Sequence, residues 1–336
     1  MAGTITLGHG SGGKLSRELI ENSFLPRLRS PELARLNDAA AITVSDDNLA
    51  VSTDSFVVTP LVFPGSDIGR LAVYGTVNDL AMLTARALCL SAAFIVEEGF
   101  AVETLEQIAE SMAAASHEVG VPIVAADTKV VERGSADGLF INTTGIGAIQ
   151  RTPPPSADRA QVGDKIILSG TVADHGIAVL MARNQFPFRA DIASDCAPLW
   201  RLVETMLSTG AELHALRDPT RGGLATVLNE IAGAANVAIT VEEAAVPVAE
   251  PVRGACEMLG LDPLYIANEG KLVAVVAPDG ADRLVAAMRE HERGREARVI
   301  GEVTGEHPKG RVTVTTRIGG SRILDLLVGE QLPRIC

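Results

Sequence analysis

Four aspartates occupy apolar surroundings that carboxylates normally avoid. Asp38, Asp54 and Asp127 each stand at an end of a predicted apolar strand. Asp79 lies within an otherwise apolar predicted helix, where it has no capping role. A buried carboxylate is costly unless it is paired or bound to a metal ion. Each aspartate alone is explained as well by a turn or a cap, but the set favours a magnesium site that carboxylates and phosphate oxygens share.

Other polar residues could bind a phosphate or move protons. Lys129 follows Asp127 by two residues and would place a cation beside the carboxylates. Residues 218–223 open a predicted helix, where backbone N–H groups and Arg221 could bind an anion. Glu269 precedes an apolar strand and is a candidate base. On local grounds the alternatives are a surface ion pair for Lys129, a turn and helix cap for 218–223, and a surface loop for Glu269.

A glycine-rich opening, residues 8–14, matches the first part of a nucleotide-binding P-loop. Leu15 stands where that loop needs serine or threonine for magnesium, so a Walker-type P-loop is rejected. The glycines still allow successive N–H groups to converge on an anion, and a helix is predicted to follow them. The alternative is a disordered leader.

The chain ends on a cysteine, Cys336, two residues after Arg334. A terminal segment is commonly the least ordered part of a domain, so the thiol could move into a site or reach another protein. The alternative is a stray thiol at a frayed end. Prenylation is excluded because further residues would have to follow the cysteine. The adjacent terminal carboxylate should raise the pKa of the thiol by like-charge repulsion.

Composition and charge indicate a globular protein that does not bind nucleic acid. The chain has 336 residues, enough for one large or two medium domains, with 47% hydrophobic and 21% charged residues. Its net charge of -13 repels nucleic acid and anionic membranes. We see no signal peptide, no apolar run of membrane-spanning length and no C-x-x-C pair. A cytoplasmic location without a zinc site or a disulfide framework is therefore expected.

The alternation of strand and helix patterns predicts an α/β (α+β) fold built from two related α/β domains. In the first half we expect a hairpin over 37–53, helices over 68–83 and 102–119, and strands over 87–96, 121–125 and 139–149. The expected divisions are a glycine-rich segment and helix over 1–36, an N-terminal domain over 37–150, a proline-rich linker over 151–162, a C-terminal α/β domain over 163–316 and a tail over 317–336.

Taken together, these motifs resemble a known family of enzymes. Residues 53–56, 77–82, 126–130, 218–224 and 268–271 resemble the ATP-dependent superfamily of aminoimidazole ribonucleotide synthetase and selenophosphate synthetase. The opening residues 9–14 and the closing residues 333–336 are similar to those of its HypE family, the carbamoyl dehydratases of hydrogenase maturation. The resemblance covers essentially the whole chain. It implies an N-terminal domain that binds ATP and dimerises through a shared β-barrel, and a flexible tail that ends in a carrier cysteine.

The resemblance also implies a reaction. A carbamoyltransferase, HypF, places a carbamoyl group on the terminal cysteine, and ATP with Mg²⁺ drives its dehydration to a thiocyanate. The cyano group then passes to a HypC–HypD complex and becomes the cyanide ligand of a nickel–iron hydrogenase. By this resemblance the chain is an ATP-dependent lyase that works as a homodimer.

The site residues implied by the resemblance fall into three groups. The catalytic group is Cys336 as carrier, Glu269 as base, and Lys129 and Lys14 as cations. The ATP-binding group is Gly12, Gly13, Thr53, Asp54, Asn78, Thr128, Thr220, Arg221 and Gly222. The metal-binding group is Asp38, Asp54, Asp79, Asp127 and, more weakly, Asp218.

Two other functions stay open on the sequence. A small-molecule kinase or synthetase of the same superfamily, such as a selenophosphate synthetase, would carry a reactive cysteine or selenocysteine near the N-terminal glycines, and this chain has none there. A nucleotide-binding scaffold would release no phosphate even with a modified cysteine.

Overall fold

The computed structural model of the chain describes residues 7–10, 13–28, 32–44, 47–183, 191–327, 332 and 334–336. Gly12, a predicted ATP ligand, lies outside the described residues. Among those described, no helix combines the length and the hydropathy needed to cross a lipid bilayer.

Helices and strands alternate along both halves of the chain. The α-helices are α1 (Lys14–Leu19), α2 (Leu25–Leu28), α3 (Ile68–Met82), α4 (Val102–Val119), α5 (Asp174–Ala182), α6 (Trp200–Ser208), α7 (Gly223–Ala235), α8 (Glu250–Leu259) and α9 (Pro278–Arg289). The strands are β1 (Ala40–Val44), β2 (Asp47–Phe56), β3 (Val62–Phe63), β4 (Ser66–Asp67), β5 (Ala85–Glu97), β6 (Ile123–Val131), β7 (Leu139–Ile149), β8 (Lys165–Leu168), β9 (Leu213–Arg217), β10 (Val237–Glu242), β11 (Val273–Val276), β12 (Arg298–Glu306), β13 (Arg311–Thr315) and β14 (Ser321–Ile323).

The N-terminal half is a five-stranded sheet with helices on one face. Its strand order is β1-β2-β7-β5-β6, antiparallel except for the parallel pair β5–β6. Helix α3 lies across β2, β7 and β5, and α4 packs beside α3. Strand residues alternate between the two faces, so every second residue points away from the helices. On this open face Ile42, Val44, Ile95 and Ile146 remain 38–49% exposed.

Helix α3 is the most buried element of this half. It begins at the cap Asp67, whose carboxylate accepts the N–H groups of Gly69 (2.7 Å) and Arg70 (3.1 Å). Almost every side chain of α3 is buried, because the helix lies between the sheet, α4 and the second half of the chain. Asp79 is therefore carried into the interior by an apolar helix, as predicted.

The C-terminal half is a seven-stranded sheet covered on both faces. Its strand order is β14-β13-β10-β12-β8-β11-β9. On β8, Ile166 and Leu168 pack against the α7 side, whereas Ile167 packs against α6 and α9. Burial on both faces explains why β8 and β11 are continuous apolar runs in the sequence.

The sequence located most elements correctly. The helix over 102–119 and the strand over 139–149 are confirmed to the residue, and the hairpin is formed by β1 and β2. The prediction that Asp127 ends a strand is wrong, because β6 continues to Val131 and pairs along its length with β5. Strand β9, Leu213–Arg217, was not predicted, and it carries the chain into the site described next.

Candidate functional site

Three carboxylates from distant parts of the chain converge into one cluster. Asp38 precedes β1, Asp79 lies on α3, and Asp218 follows β9. One carboxylate oxygen from each lies within 4.8 Å of the others. The predicted metal ligands Asp38, Asp79 and Asp218 are thus brought together, although they come from both domains.

Ser52 and Arg217 hold this acidic cluster in place. The Ser52 hydroxyl donates to Asp79 Oδ2 at 2.6 Å and lies 3.0 Å from the carbonyl oxygen of Asp38. Arg217 Nη1 lies 3.1 Å from Asp38 Oδ1, and its other amino group pairs with Glu230. Sequence reasoning missed both residues, although Ser52 shares a strand face with Asp54 and Arg217 directly precedes Asp218.

The electrostatics of the cluster favour a bound cation. Burial raises the pKa of Asp38 and Asp79 well above the usual range, and repulsion from neighbouring aspartates adds to this effect, while Arg217 lowers the pKa of Asp38. Burial also raises the pKa of Asp218 to about 6. Asp38 Oδ2 is buried and has no hydrogen-bond partner among the described residues. A buried carboxylate oxygen whose negative charge has no hydrogen-bond donor to balance it suits an ion such as Mg²⁺.

Asp54 connects the acidic cluster to a guanidinium group. It lies on the same face of β2 as Ser52, towards α3, and its Oδ1 is 3.7 Å from Arg221 Nη2. Burial raises the pKa of Asp54, and the nearby Arg221 opposes that shift.

The loop at 218–223 turns sharply into α7 and directs Arg221 towards Asp54. Gly222 and Gly223 have φ values of 77° and 62°, which only glycine adopts readily. A Cβ on Gly222 would lie 2.1 Å from Thr226 Oγ1, so any side chain at this position would clash with Thr226. The Asn268 amide donates to the carbonyl of Pro219 at 2.8 Å, which fastens this loop to the one that carries Glu269.

Glu269 is buried, and Asp195 holds its loop. Asp195 accepts the N–H groups of Glu269 (3.1 Å) and Gly270 (3.3 Å), and it pairs with Lys271 Nζ at 3.0 Å. Burial raises the pKa of Glu269 well above its usual value, and the charges of Asp218 and Asp195 add to the shift. No sequence pattern, beyond the acidic residue type, points to Asp195.

Asn78, a predicted ATP ligand, instead joins segments of the protein. Its side-chain amide donates to the carbonyl of Ala197 at 3.0 Å, and its oxygen accepts the N–H of Leu199 at 2.8 Å. The same amide lies 3.4 Å from the carbonyl of Glu269. Asn78 therefore positions the segment beside Glu269.

The terminal cysteine lies inside this site. The thiol of Cys336 lies beside the carboxyl group of Glu269, and Arg221 and Asp54 are its other charged neighbours. Burial, followed by the charge of Glu269, raises the pKa of this thiol far above its ordinary value. Ile335, directly before it, is only 5% exposed and packs into the core of the N-terminal half. The described end of the tail is thus docked.

Four other predicted residues lie on the sheet at positions remote from the acidic cluster or facing away from it. Thr53 points to the open face, where its hydroxyl is 2.9 Å from that of Thr144. Asp127, Thr128 and Lys129 lie exposed on β6, an edge strand separated from β2 by β7 and β5. Strand spacing places β6 about 14 Å from β2. One subunit therefore does not bring Asp127 and Lys129 to Asp54.

Gly13 and Lys14 contact Leu327, in the first part of the expected tail. The Lys14 N–H donates to the carbonyl of Leu327 at 2.9 Å, and a Cβ on Gly13 would lie 2.4 Å from the same oxygen. The Lys14 side chain is exposed and lies 3.9 Å from Glu18. The contacts of Gly13 and Lys14 with Leu327 therefore join the N-terminal and C-terminal segments of the chain.

A cavity of about 340 Å³ opens beside the acidic cluster. Asp218, Thr220 and Arg221 form part of its wall. The N-terminal helical segment closes another side with His9, Ser16, Leu19, Ile20 and Phe24. Its volume falls at the lower end of the range for small-molecule pockets. The site thus contains carboxylates that could bind a cation, a guanidinium group, and a buried carboxyl group next to a thiol. This combination suits phosphoryl transfer to a group that the thiol carries.

Comparison with protein families matches both halves of the chain. The AIR synthase related protein family matches through its N-terminal domain over residues 36–149 and through its C-terminal domain over 161–313. The expected α/β fold with two domains of this type is confirmed.

Individual relatives are similar over nearly their whole length. The carbamoyl dehydratase HypE of Azotobacter vinelandii is 51% identical over 334 residues, which cover 99% of this chain and 98% of that protein. A crystal structure of the hydrogenase maturation protein HypE in complex with ATP is 50% identical, with a TM-score of 0.83, and the match covers 99% of this chain and 100% of that one. A crystal structure of a HypE–HypF complex is 48% identical, with a TM-score of 0.86, over 92% of this chain and 99% of that one.

Proposed function

Because this chain belongs to the HypE family of carbamoyl dehydratases, we propose that it dehydrates a carbamoyl group carried on its own terminal cysteine, Cys336. The product is a thiocyanate, the source of the cyanide ligand in nickel–iron hydrogenase maturation. ATP drives the reaction, as in the family. The observation that carries the assignment of the carrier is the position of the Cys336 thiol beside the buried Glu269 and Arg221.

The reaction requires a poor leaving group to be converted into a good one. The carbamoyl oxygen attacks the γ-phosphorus of ATP, ADP leaves, and the nitrogen gives up one proton. The second N–H proton is then removed, the C–O bond breaks, phosphate departs and the C≡N bond forms. The sum is thiocarbamate plus ATP to thiocyanate, ADP and phosphate.

Glu269 and Arg221 are the residues that act on the tethered group in this proposal. Glu269 accepts protons from the nitrogen, and burial raises its pKa, which strengthens it as a proton acceptor. Arg221 stabilises negative charge that develops on the transferring phosphoryl group. A buried site keeps water away from the phosphorylated intermediate.

Magnesium fits the acidic cluster in its donor set. Asp38, Asp79 and Asp218 would hold the ion, and the nearby Asp54, whose charge raises the pKa of Asp79, would add to the negative potential around it. When bound, the ion would shield the negative charge of the ATP phosphates.

We propose that the nucleotide occupies the cavity between residues 218–221 and the N-terminal helical segment. Thr220, Arg221 and Gly222 stand at the start of α7, where the positive end of the helix dipole attracts phosphate. The apolar side chains of α1 and the segment after it would then contact the base. Gly12, Gly13, Thr53, Asn78, Thr128 and Lys14 stay predictions of the sequence.

A homodimer is part of the same proposal. The open face of the N-terminal sheet exposes Ile42, Val44, Ile95 and Ile146, and an apolar sheet face of this kind marks an interface. A second copy laid on this face would bury it, and closing the two sheets into a barrel would pair their edges. The side chains of Asp127 and Lys129 also project from this open face. In a dimer they would lie near the partner subunit, and we propose that they act at the partner's site.

The proposed partners follow from the chemistry of the carrier. HypF, which forms a complex with a relative in a solved structure, would supply the carbamoyl group. A HypC–HypD complex would accept the cyano group. A cytoplasmic location belongs to the same proposal, because ATP is supplied there.

Intact mass spectrometry tests the carrier and the reaction together. The protein is incubated with carbamoyl phosphate, the partner transferase and magnesium, with and without ATP. We expect a carbamoyl adduct on Cys336 that loses the mass of one water after ATP is added to the protein. The matched variants are Cys336→Ser, which should form no adduct, and Cys89→Ser, which should behave as the unchanged protein. An adduct on Cys336→Ser would refute the carrier role, and phosphate release without an adduct would favour a small-molecule synthetase.

A further inference from the structure

The backbone of the tail is bound by side chains that the reaction itself does not use. The carbonyl of Ile335 lies 2.9 Å from His175 Nε2. The carbonyl of Arg334 accepts the N–H of Thr59 at 3.2 Å and a hydrogen bond from Arg183 Nη2 at 2.9 Å. Both carbonyls that precede Cys336 are therefore engaged by the folded domain.

The hydrogen-bond network around His175 defines its tautomer. His175 is fully buried, and Nδ1 lies 2.8 Å from Ser194 Oγ. Ser194 Oγ also accepts the N–H of Cys196 at 3.1 Å, so its own hydrogen is free to point at Nδ1. Nδ1 then accepts, and Nε2 carries the proton that it donates to the carbonyl of Ile335. The imidazole is thus pre-arranged as a donor to the tail.

Packing supports the same arrangement. Phe63 contacts the His175 ring edge to face, with ring centroids 5.4 Å apart. Ile335 is buried in the cluster that contains Phe63, which gives the tail an apolar anchor directly before the cysteine. Arg334 has a φ of 57° and its side chain lies 3.0 Å from Asp137, so a turn held by an ion pair presents both carbonyls to the domain.

Arg183 fixes the other side of the tail. Its Nε donates to the carbonyl of Thr59 at 2.9 Å while Nη2 donates to that of Arg334. One guanidinium therefore ties the tail to the segment after β2. The fork geometry of arginine suits such double donation.

We propose that His175 and Arg183 form a latch that holds the tail in its docked position through main-chain carbonyls. His175 is a positioning residue: it sets the place of Cys336 beside Glu269 through the backbone of Ile335. Because these hydrogen bonds reach main-chain carbonyls, the latch can hold the tail whether Cys336 carries the free thiol, the thiocarbamate or the thiocyanate. The consequence for catalysis rests on the proposed function, whereas the latch itself does not.

Alkylation of Cys336 measures the latch without any substrate. The full-length protein is treated with N-ethylmaleimide, and the C-terminal peptide is followed by mass spectrometry. In the docked state Cys336 is only partly exposed and its thiol faces Glu269, so alkylation should be slower there than in the undocked state, and its rate reports the docking equilibrium. Loss of one hydrogen bond should accelerate alkylation of Cys336 by about two- to tenfold. The modification rate of Cys89 is the internal reference.

Matched variants separate the latch from general loosening. His175→Phe keeps a ring against Phe63 but loses the donor, and Arg183→Met removes both guanidinium hydrogen bonds at a partly exposed position. Both should accelerate alkylation. His175→Gln keeps an N–H donor and should stay near the rate of the unchanged protein. Arg201→Met is the control, since Arg201 is exposed and pairs with Glu204 on α6.

Specific outcomes would overturn the proposal. Unchanged alkylation in both His175→Phe and Arg183→Met would show that these contacts do not hold the tail. Equal acceleration in Arg201→Met, or in His175→Gln, would assign the effect to loosening of the fold. These results are independent of the dehydratase assignment, because neither ATP nor a carbamoyl donor is present.

A second measurement tests the consequence for the reaction. In carbamoylated protein, Arg183→Met should slow the ATP-dependent loss of water while the affinity for ATP stays unchanged. An unchanged rate together with faster alkylation would refute the positioning role. A lowered ATP affinity would show damage to the nucleotide site and would also count against it.

Discussion

The Cys336 thiol lies beside the buried Glu269 carboxyl group, although they come from the last residue and from a loop before β11. This pairing places the end of the chain in the position of a substrate. The same carboxyl group that contacts the thiol lies next to Arg221 and the acidic cluster. A tethered substrate therefore meets the phosphate-binding and proton-accepting groups together.

Replacing Glu269 should block the reaction after carbamoylation. Glu269→Gln keeps the size of the side chain but cannot accept a proton, so water loss should slow by about 10²–10⁴-fold. We expect the carbamoyl adduct to accumulate in intact mass spectra. Glu257→Gln, an exposed change on α8, serves as the control. A normal rate in Glu269→Gln would mean that another group removes the proton.

Asp79→Asn should abolish magnesium-dependent nucleotide binding and should not destabilise the metal-free protein. The amide can still accept from Ser52, and one charge is removed from three crowded carboxylates. In EDTA we expect a rise in Tm of about 2–4 °C, which corresponds to roughly 1 kcal/mol. Calorimetric titration with Mg²⁺ and ATP provides the binding measurement. Unchanged affinity would exclude Asp79 as a ligand.

The same cluster predicts how metal-free stability depends on pH. Folding raises the pKa values of Asp38, Asp79 and Asp218, so the folded state binds protons more tightly than the unfolded chain. Their contribution to stability is full below about pH 4, the ordinary aspartate value, and is lost as the pH rises through about 6, the value of Asp218. The stabilising effect of Asp79→Asn in EDTA should therefore be larger at about pH 7 than at about pH 5. An effect of equal size at both pH values would contradict this account.

Ile95→Asp should dissociate the proposed dimer without unfolding the subunit. Ile95 points from the open face of the sheet and is 41% exposed, so the charge disturbs an interface more than a core. Light scattering after size exclusion would show a change from dimer to monomer. Ile318→Asp, at a residue that is 95% exposed outside this face, is the matched control. A dimer that persists in Ile95→Asp would place the interface elsewhere.

Asp195→Asn should weaken both the fold and the reaction. Asp195 is buried, accepts two backbone N–H groups and pairs with Lys271, so removing its charge leaves Lys271 without its nearest partner. The expected loss is about 3–5 kcal/mol in the free energy of unfolding by urea. Lys271→Met in the same background should recover part of it. If Asp195→Asn is as stable as the unchanged protein, the ion pair does not hold this loop.

The sequence was informative where a residue type conflicted with its surroundings. Asp79 within an apolar helix, glycines at the start of α7 and a cysteine at the end of the chain were each identifiable without coordinates, and the motifs indicated the family. Strand alternation also showed which residues share a face. Periodicity, however, does not show which face will be covered or by which element.

Tertiary structure decided which of these residues meet. Asp38, Asp79 and Asp218 converge because β9 places the second domain against α3, whereas Asp127 remains on an edge strand. Ser52, Arg217, Asp195 and His175 gain their roles only from contacts made across large separations in sequence. The position of Cys336 depends in the same way on carbonyls bound by His175 and Arg183. Local sequence determines the type of a side chain and the face of the strand or helix from which it projects. Long-range packing determines which groups surround it, and these groups set its charge state and its position.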